Sequence, residues 1–173
     1  FVNKIERFSY NSNTPYSTIH LFNKDFENGT LRIKKPGIYK LQENIVFNPN
    51  KSNDFSPTEK QISSNLYPQN MSGPFHLGFF AAITVESPDV IIDLNNFSIS
   101  QHSHHNLQQR FYANIELANS PFIPRQGPSS FVSDNGYRPA NKVLIMNGHL
   151  GKSSHHGIHG NSANNVVLHN LTI

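Results

Sequence analysis

One pattern recurs three times along this chain and constrains it more than any other feature. Val143, Leu144 and Ile145 precede Asn147 and Leu150, and 23 residues on Val166, Val167 and Leu168 precede Asn170 and Ile173. An earlier copy places Val90, Ile91 and Ile92 ahead of Asn96 and Ile99, with two extra residues before the Asn. Recurrence near this period is how stacked-coil architectures present themselves, because each unit leaves a hydrophobic face for the next to cover. Strand alternation assigns Val90, Ile92 and Leu94 to one face and Ile91 and Asp93 to the other. Val143 and Ile145, then Val166 and Leu168, take the positions of Val90 and Ile92. Asn96, Asn147 and Asn170 fall into one column, where side-chain amides can link copy to copy as in stacked in-register strands.

Composition agrees with corners. Asparagine is the commonest residue, 23 of 173, and it tolerates the left-handed backbone that tight corners demand. The apolar share of 36% is low for a globular protein but suits one narrow, elongated domain. Fourteen basic and 11 acidic residues are scattered, with Lys34-Lys35 the sole adjacent basic pair, so no nucleic-acid partner is expected. Without cysteine there is no disulfide frame and no thiolate metal site. No run of about 18 apolar residues predicts a membrane span, and no charged-then-apolar leader opens the chain. The first residue is Phe1, from which an internal piece of a longer polypeptide is expected.

Residues 1–28 carry little periodicity and read as an N-terminal arm or cap. From Gly29 the pattern sharpens through Leu31, Ile33, the Pro36-Gly37 turn and the alternating Ile38 to Phe47, a first coil within a domain spanning 29–173. Asn50 to Gly73 is polar and reads as a long loop, whereas Phe75 to Val85 is the most apolar stretch. Between the first and second copies of the repeat, residues 102–137 read as a lateral insertion with a strand of its own at Ile115-Glu116-Leu117. Excursions of this kind are where such scaffolds place function.

The opening Lys35-Pro36-Gly37-Ile38-Tyr39-Lys40-Leu41, the Asn-cornered copies and Gly157-Ile158-His159-Gly160-Asn161 resemble the right-handed parallel β-helix superfamily, the pectate-lyase-like fold, over residues 29–173. The expected fold is therefore all-β, a right-handed parallel β-helix (solenoid) with an arm or cap and a lateral insertion. Residues 75–82, 109–112 and 121–124 are similar to stretches of β-helix proteins encoded by giant viruses of protists and by algae. That likeness implies a particle-associated or surface role more than a defined reaction.

Superfamily members that act on acidic polysaccharides set the catalytic alternatives. Inverting hydrolysis needs an acid and a base several Å apart, and Gly157-Ile158-His159-Gly160 matches a Gly-His-Gly strand loosely, with Ile158 interposed. No Asp or Glu follows Asp134, so the coils flanking His159 are expected to lack carboxylates. The lyase pattern wants Ca²⁺ held by several carboxylates and an Arg or Lys base. Glu86, Asp93 and Arg110 are its candidates, against a plainer reading of Glu86 as a corner residue and Asp93 as a solvated outward one. Phe111, Tyr112, Phe122 and Tyr137 are candidate glycan or partner contacts, with His155 and His156 beside them. A transition-metal site wants three or four convergent ligands, and these histidines read instead as exposed corner and strand residues, so no metal site and no cofactor is expected. Only the lyase alternative would bring Ca²⁺.

The last copy ends at Ile173 without an amphipathic cover, and bare strand edges invite pairing. The expectation is a non-catalytic structural or attachment protein of a large assembly, a virion component with glycan contact and other protein chains on the open coil end. The alternative is a polysaccharide lyase or glycoside hydrolase whose site is completed by further coils.

Overall fold

The structure, a computed structural model, describes residues 16–68, 73–128 and 136–173. Residues 1–15 of the expected arm, 69–72 of the expected loop and 129–135 of the expected insertion lie outside the described residues.

Strands form where branched and aromatic residues alternate with polar ones. They are β1 (Thr18–Leu21), β2 (Leu31–Ile33), β3 (Gly37–Leu41), β4 (Ile45–Phe47), β5 (Ala81–Val85), β6 (Val90–Asp93) and β7 (Ser98–Gln101). After these come β8 (Ala113–Glu116), β9 (Asn141–Leu150), β10 (His156–His159) and β11 (Asn164–Thr172). Two short helices, α1 (Glu59–Ser63) and α2 (Ser103–Leu107), interrupt them. One sheet of seven strands runs β1-β3-β6-β9-β7-β4, with β11 also on β9, and a second of four runs β10-β8-β5-β2. All the strand pairs within these sheets are parallel.

The sequence repeat is a spatial ladder. Val90 is paired with Val143 and Ile92 with Ile145, while Val143 is paired with Val166 and Ile145 with Leu168. Val90, Ile92, Leu94, Val143 and Ile145 are fully buried in the main core. On the opposite face Ile91 and Leu144 form a small separate cluster with Ile38, Met146 and Val167. Alternation thus partitions the copies as their sequence requires, and burying each inward column contributes at roughly 25 cal/mol per Å² of apolar surface.

Corners are marked by backbone strain that Asn tolerates. Strand β9 pairs with three others: β11 along most of its length, β6 over Val143–Met146, and β7 over His149 and Leu150. Asn147 stands at the junction with φ 61°, matched by Asn96 at 65° and Asn170 at 50°. A second left-handed column, Asp89 at 58°, Lys142 at 58° and Asn165 at 52°, opens the same three copies. Asn170 Nδ2 donates to Asn147 Oδ1 at 3.2 Å, and Asn147 Nδ2 donates to Asp93 Oδ1 at 3.2 Å. The side-chain ladder therefore starts at Asp93, not at Asn96. Two extra residues in the first copy move Asn96 on, and it contributes its backbone N–H to Asn147 O at 2.7 Å instead. Gly148 is required just past the corner, since a Cβ there would meet Leu94 Cβ at 2.4 Å.

Three expected boundaries look different in space. β1 lies inside the segment expected as an arm or cap, yet pairs with β3 in register from Thr18 with Ile38 to Leu21 with Leu41. The long polar loop carries α1, whose Thr58 and Gln61 form a reciprocal capping box, and Gln61 Nε2 ties it to Asn28 O at 2.8 Å. The expected insertion is divided in two by β8, which sits between β5 and β10 as a full member of the four-stranded sheet. Among the described residues no helix is long and apolar enough to cross a membrane.

Candidate functional site

Register across the four-stranded sheet places Arg32 beside Thr84, Thr84 beside Glu116, and Glu116 beside His159. Residues in register in a parallel sheet share a face, so one face reads Arg32, Thr84, Glu116, His159 and the other Leu31, Ile83, Ile115, Ile158. This polar face carries one fully buried ionisable group, Glu116.

Glu116 has no exposed surface. His159 Nδ1 lies 2.7 Å from Glu116 Oε2, while Oε1 has no hydrogen-bond partner. Burial raises the Glu116 pKa above the usual carboxylate range, against the opposing pull of the His159 hydrogen bond and charge. The expectation that no carboxylate flanks His159 is thereby corrected. The missing carboxylate lies 43 residues upstream in sequence and on the adjacent strand in space.

Around this pair the entrance to β10 gathers aromatic rings. Phe111 packs against His155, His156 and His159 with ring centroids at 5.4, 5.6 and 5.0 Å, and against Phe122 at 5.3 Å. The His156 and His159 rings are 4.8 Å apart. His156 has its pKa lowered by partial burial and by the charges of His159 and His155. Tyr137 donates its hydroxyl to Asn161 O at 2.8 Å, and burial together with the Glu116 charge pushes its pKa up to about 12. Phe111 and Phe122 also line a groove of about 320 Å³ with Phe79, Phe80, Pro121 and Arg110. Five residues singled out in the sequence, Phe111, Phe122, His155, His156 and His159, are brought together, with Tyr137 close to Glu116.

The others are placed elsewhere. Tyr112, expected as a surface contact, is fully buried against Phe47 at 5.7 Å and His105 at 5.3 Å, because the chain turns it inward ahead of β8. Arg110 is held by the loop at Asp54, forming an ion pair with that carboxylate and donating to Asp54 O at 3.1 Å and Ser56 Oγ at 3.3 Å. Glu86 is clamped by Arg32, whose Nε and Nη2 donate at 2.7 and 2.9 Å, and by the Thr84 hydroxyl at 2.8 Å. Asp93, read as solvated, is only 8% exposed. It accepts from Asn95 N at 2.9 Å and from Asn147, with Lys40 Nζ at 3.4 Å. Glu86 follows a strand of one sheet and Asp93 ends a strand of the other, so the lyase candidates do not converge. Among the described residues no group of three or more His, Asp or Glu side chains is placed to hold a metal ion.

Glu116 is hidden in the sequence because its strand lies within residues 102–137, which read as an excursion. The signal that could have found it is the short alternation Ala113 to Glu116, which has the same form as Ala81 to Thr84. Comparison of the chain with protein families, with curated proteins and with solved structures finds no match.

Proposed function

We propose that this chain is a right-handed parallel β-helix acting as a non-catalytic structural or attachment part of a large assembly, such as a virus particle. The groove at Phe111 and Phe122 is its contact for glycans, and the edge of β11, which among the described residues pairs with β9 alone, receives another protein chain. Support for the winding comes from the in-register parallel ladder, the sharing of β9 between β6 and β7, and the two left-handed corner columns.

One observation carries the non-catalytic reading: the carboxylates that sugar chemistry would need are each engaged by a separate partner. Glu86 is held by Arg32, Asp89 by Lys142, Asp93 by Lys40 and two Asn donors, and Glu116 by His159. An inverting hydrolase needs two carboxyl groups roughly 6.5–9.5 Å apart across a sugar, and a Ca²⁺-dependent lyase needs several on one ion. Paired in this way, the carboxylates stiffen the strand edges instead of facing a substrate together.

The test is incubation with pectin and with alginate, with and without Ca²⁺, reading reducing ends and unsaturated products. No product above the protein-free control is expected. Turnover that falls when Asp93 is changed to Asn would replace this reading with the lyase or hydrolase one.

A further inference from the structure

We infer that His156 and His159, backed by Glu116, bind one transition-metal cation of the Zn²⁺ or Ni²⁺ type at the entrance to β10. The inference is independent of the structural role proposed above, since it rests on one corner of the four-stranded sheet alone.

The first argument is spacing. Alternation along a strand separates residues three apart, yet these two rings stand 4.8 Å apart with 44° between their planes. A cation at about 2.1 Å from one nitrogen of each ring, with a tetrahedral angle at the metal, sets the ring centres roughly 5 Å apart. The ring separation is one that a shared ion would allow.

The second argument is the buried carboxylate. Glu116 engages Nδ1 of His159, which leaves Nε2 as the nitrogen with a lone pair to offer. A carboxylate on the far side of a ligating imidazole fixes its tautomer and orientation and makes it a stronger donor. Fully buried, and with Oε1 unpartnered, Glu116 is a costly group for the fold to keep unless positive charge gathers next to it. A cation on His159 supplies that charge. Phe111, against all three histidine rings, walls the site with a surface that has no competing donor.

Ligand type narrows the metal. Two imidazoles suit Zn²⁺, Ni²⁺ or Cu²⁺ and suit Ca²⁺ or Mg²⁺ poorly. His155 is exposed, its ring 6.3 Å from that of His156, and solvent completes the coordination. The pair His102 and His104, with rings 5.2 Å apart, is the natural control: there the His102 ring nitrogen Nδ1 accepts from the His104 backbone N–H, and neither ring forms an ion pair with a carboxylate among the described residues.

The experiment is calorimetric titration of the untagged chain with ZnCl₂ and, separately, NiCl₂ in chelator-free buffer at neutral pH. One equivalent is expected to bind. His156→Ala, at an exposed position whose loss leaves the fold intact, should weaken binding at least tenfold. Glu116→Gln should weaken it about tenfold while leaving both imidazoles in place, the size expected of a partner behind a ligand. A double His102→Ala/His104→Ala change should leave it untouched. Absence of binding heat, undiminished affinity in His156→Ala or in Glu116→Gln, or loss of binding in the His102/His104 variant would each overturn the assignment.

Discussion

The β6–β9–β11 ladder and the β2–β5–β8–β10 sheet use the same parallel pairing but bury different things. In the ladder like stacks on like: Val on Val, Ile on Ile, Asn on Asn. Each copy repeats the solution of the one before it, so apolar columns and amide bonds are satisfied within neighbouring copies. In the four-stranded sheet one face stacks unlike residues, Arg32, Thr84, Glu116 and His159. Ionic groups there are satisfied by partners drawn from remote parts of the chain, such as Arg32 for Glu86, and one oxygen of Glu116 is not satisfied at all. Repetition secures stability, and breaking it creates sites where a buried charge is sensitive to what approaches.

The largest effect that would sharpen this contrast is expected at Arg32. Changing it to Met leaves the Glu86 side chain, 3% exposed, with a single hydroxyl partner, and should cost about 3–5 kcal/mol in chemical denaturation. The double change Arg32→Met/Glu86→Leu should recover most of that loss, because removing both charges removes the desolvation penalty. Equal losses in the single and double variants would show that the pair is stabilising in itself and that the contrast is drawn wrongly.

A smaller effect is expected from pH. His105 is buried, stacked on Phe55 at 4.9 Å, and neither ring nitrogen has a partner. Burial, then the charges of Arg110 and His102, lowers its pKa from the usual 6.5 to about 4. Since the unfolded chain takes up the proton first, stability is complete above pH 6.5 and falls as pH drops from 6.5 toward 4, by about 3 kcal/mol at most. His105→Phe should flatten this part of the profile. An unchanged acid slope in that variant would move the sensitivity to other groups.

The smallest effect belongs to the ladder. Asn147→Ala removes one amide link in each direction and places a Cβ-only side chain at φ 61°, with an expected loss of about 1–2 kcal/mol. Asn147→Gly loses the same bonds but relieves the backbone, so it should be the milder change. If Gly proved as damaging as Ala, the corner would be held by the amide bonds and not by its backbone conformation.

The residues that explain themselves in the sequence are those of the ladder. Val90, Val143 and Val166, with Ile92, Ile145 and Leu168, state their own register, because a period-two pattern recurring after a fixed interval has one way to bury its apolar face. The gathering of Phe111, Phe122, His155, His156 and His159 was only half legible. Their types suggested a contact surface, but their separations in sequence range from one residue to nearly fifty. Tyr112, next to Phe111 in the chain, faces the other way into the core, which composition alone could not show.

By itself, then, the sequence determined the parallel stacking of the repeat, its inward columns and its Asn corners, since these follow from local alternation and from backbone preferences that each copy restates. Tertiary structure alone decided that β8 belongs to the four-stranded sheet, and with it that a buried Glu116 stands behind His159. The likeness of Ala113–Glu116 to Ala81–Thr84 is too short to fix that pairing, which is set by the space the neighbouring strands leave.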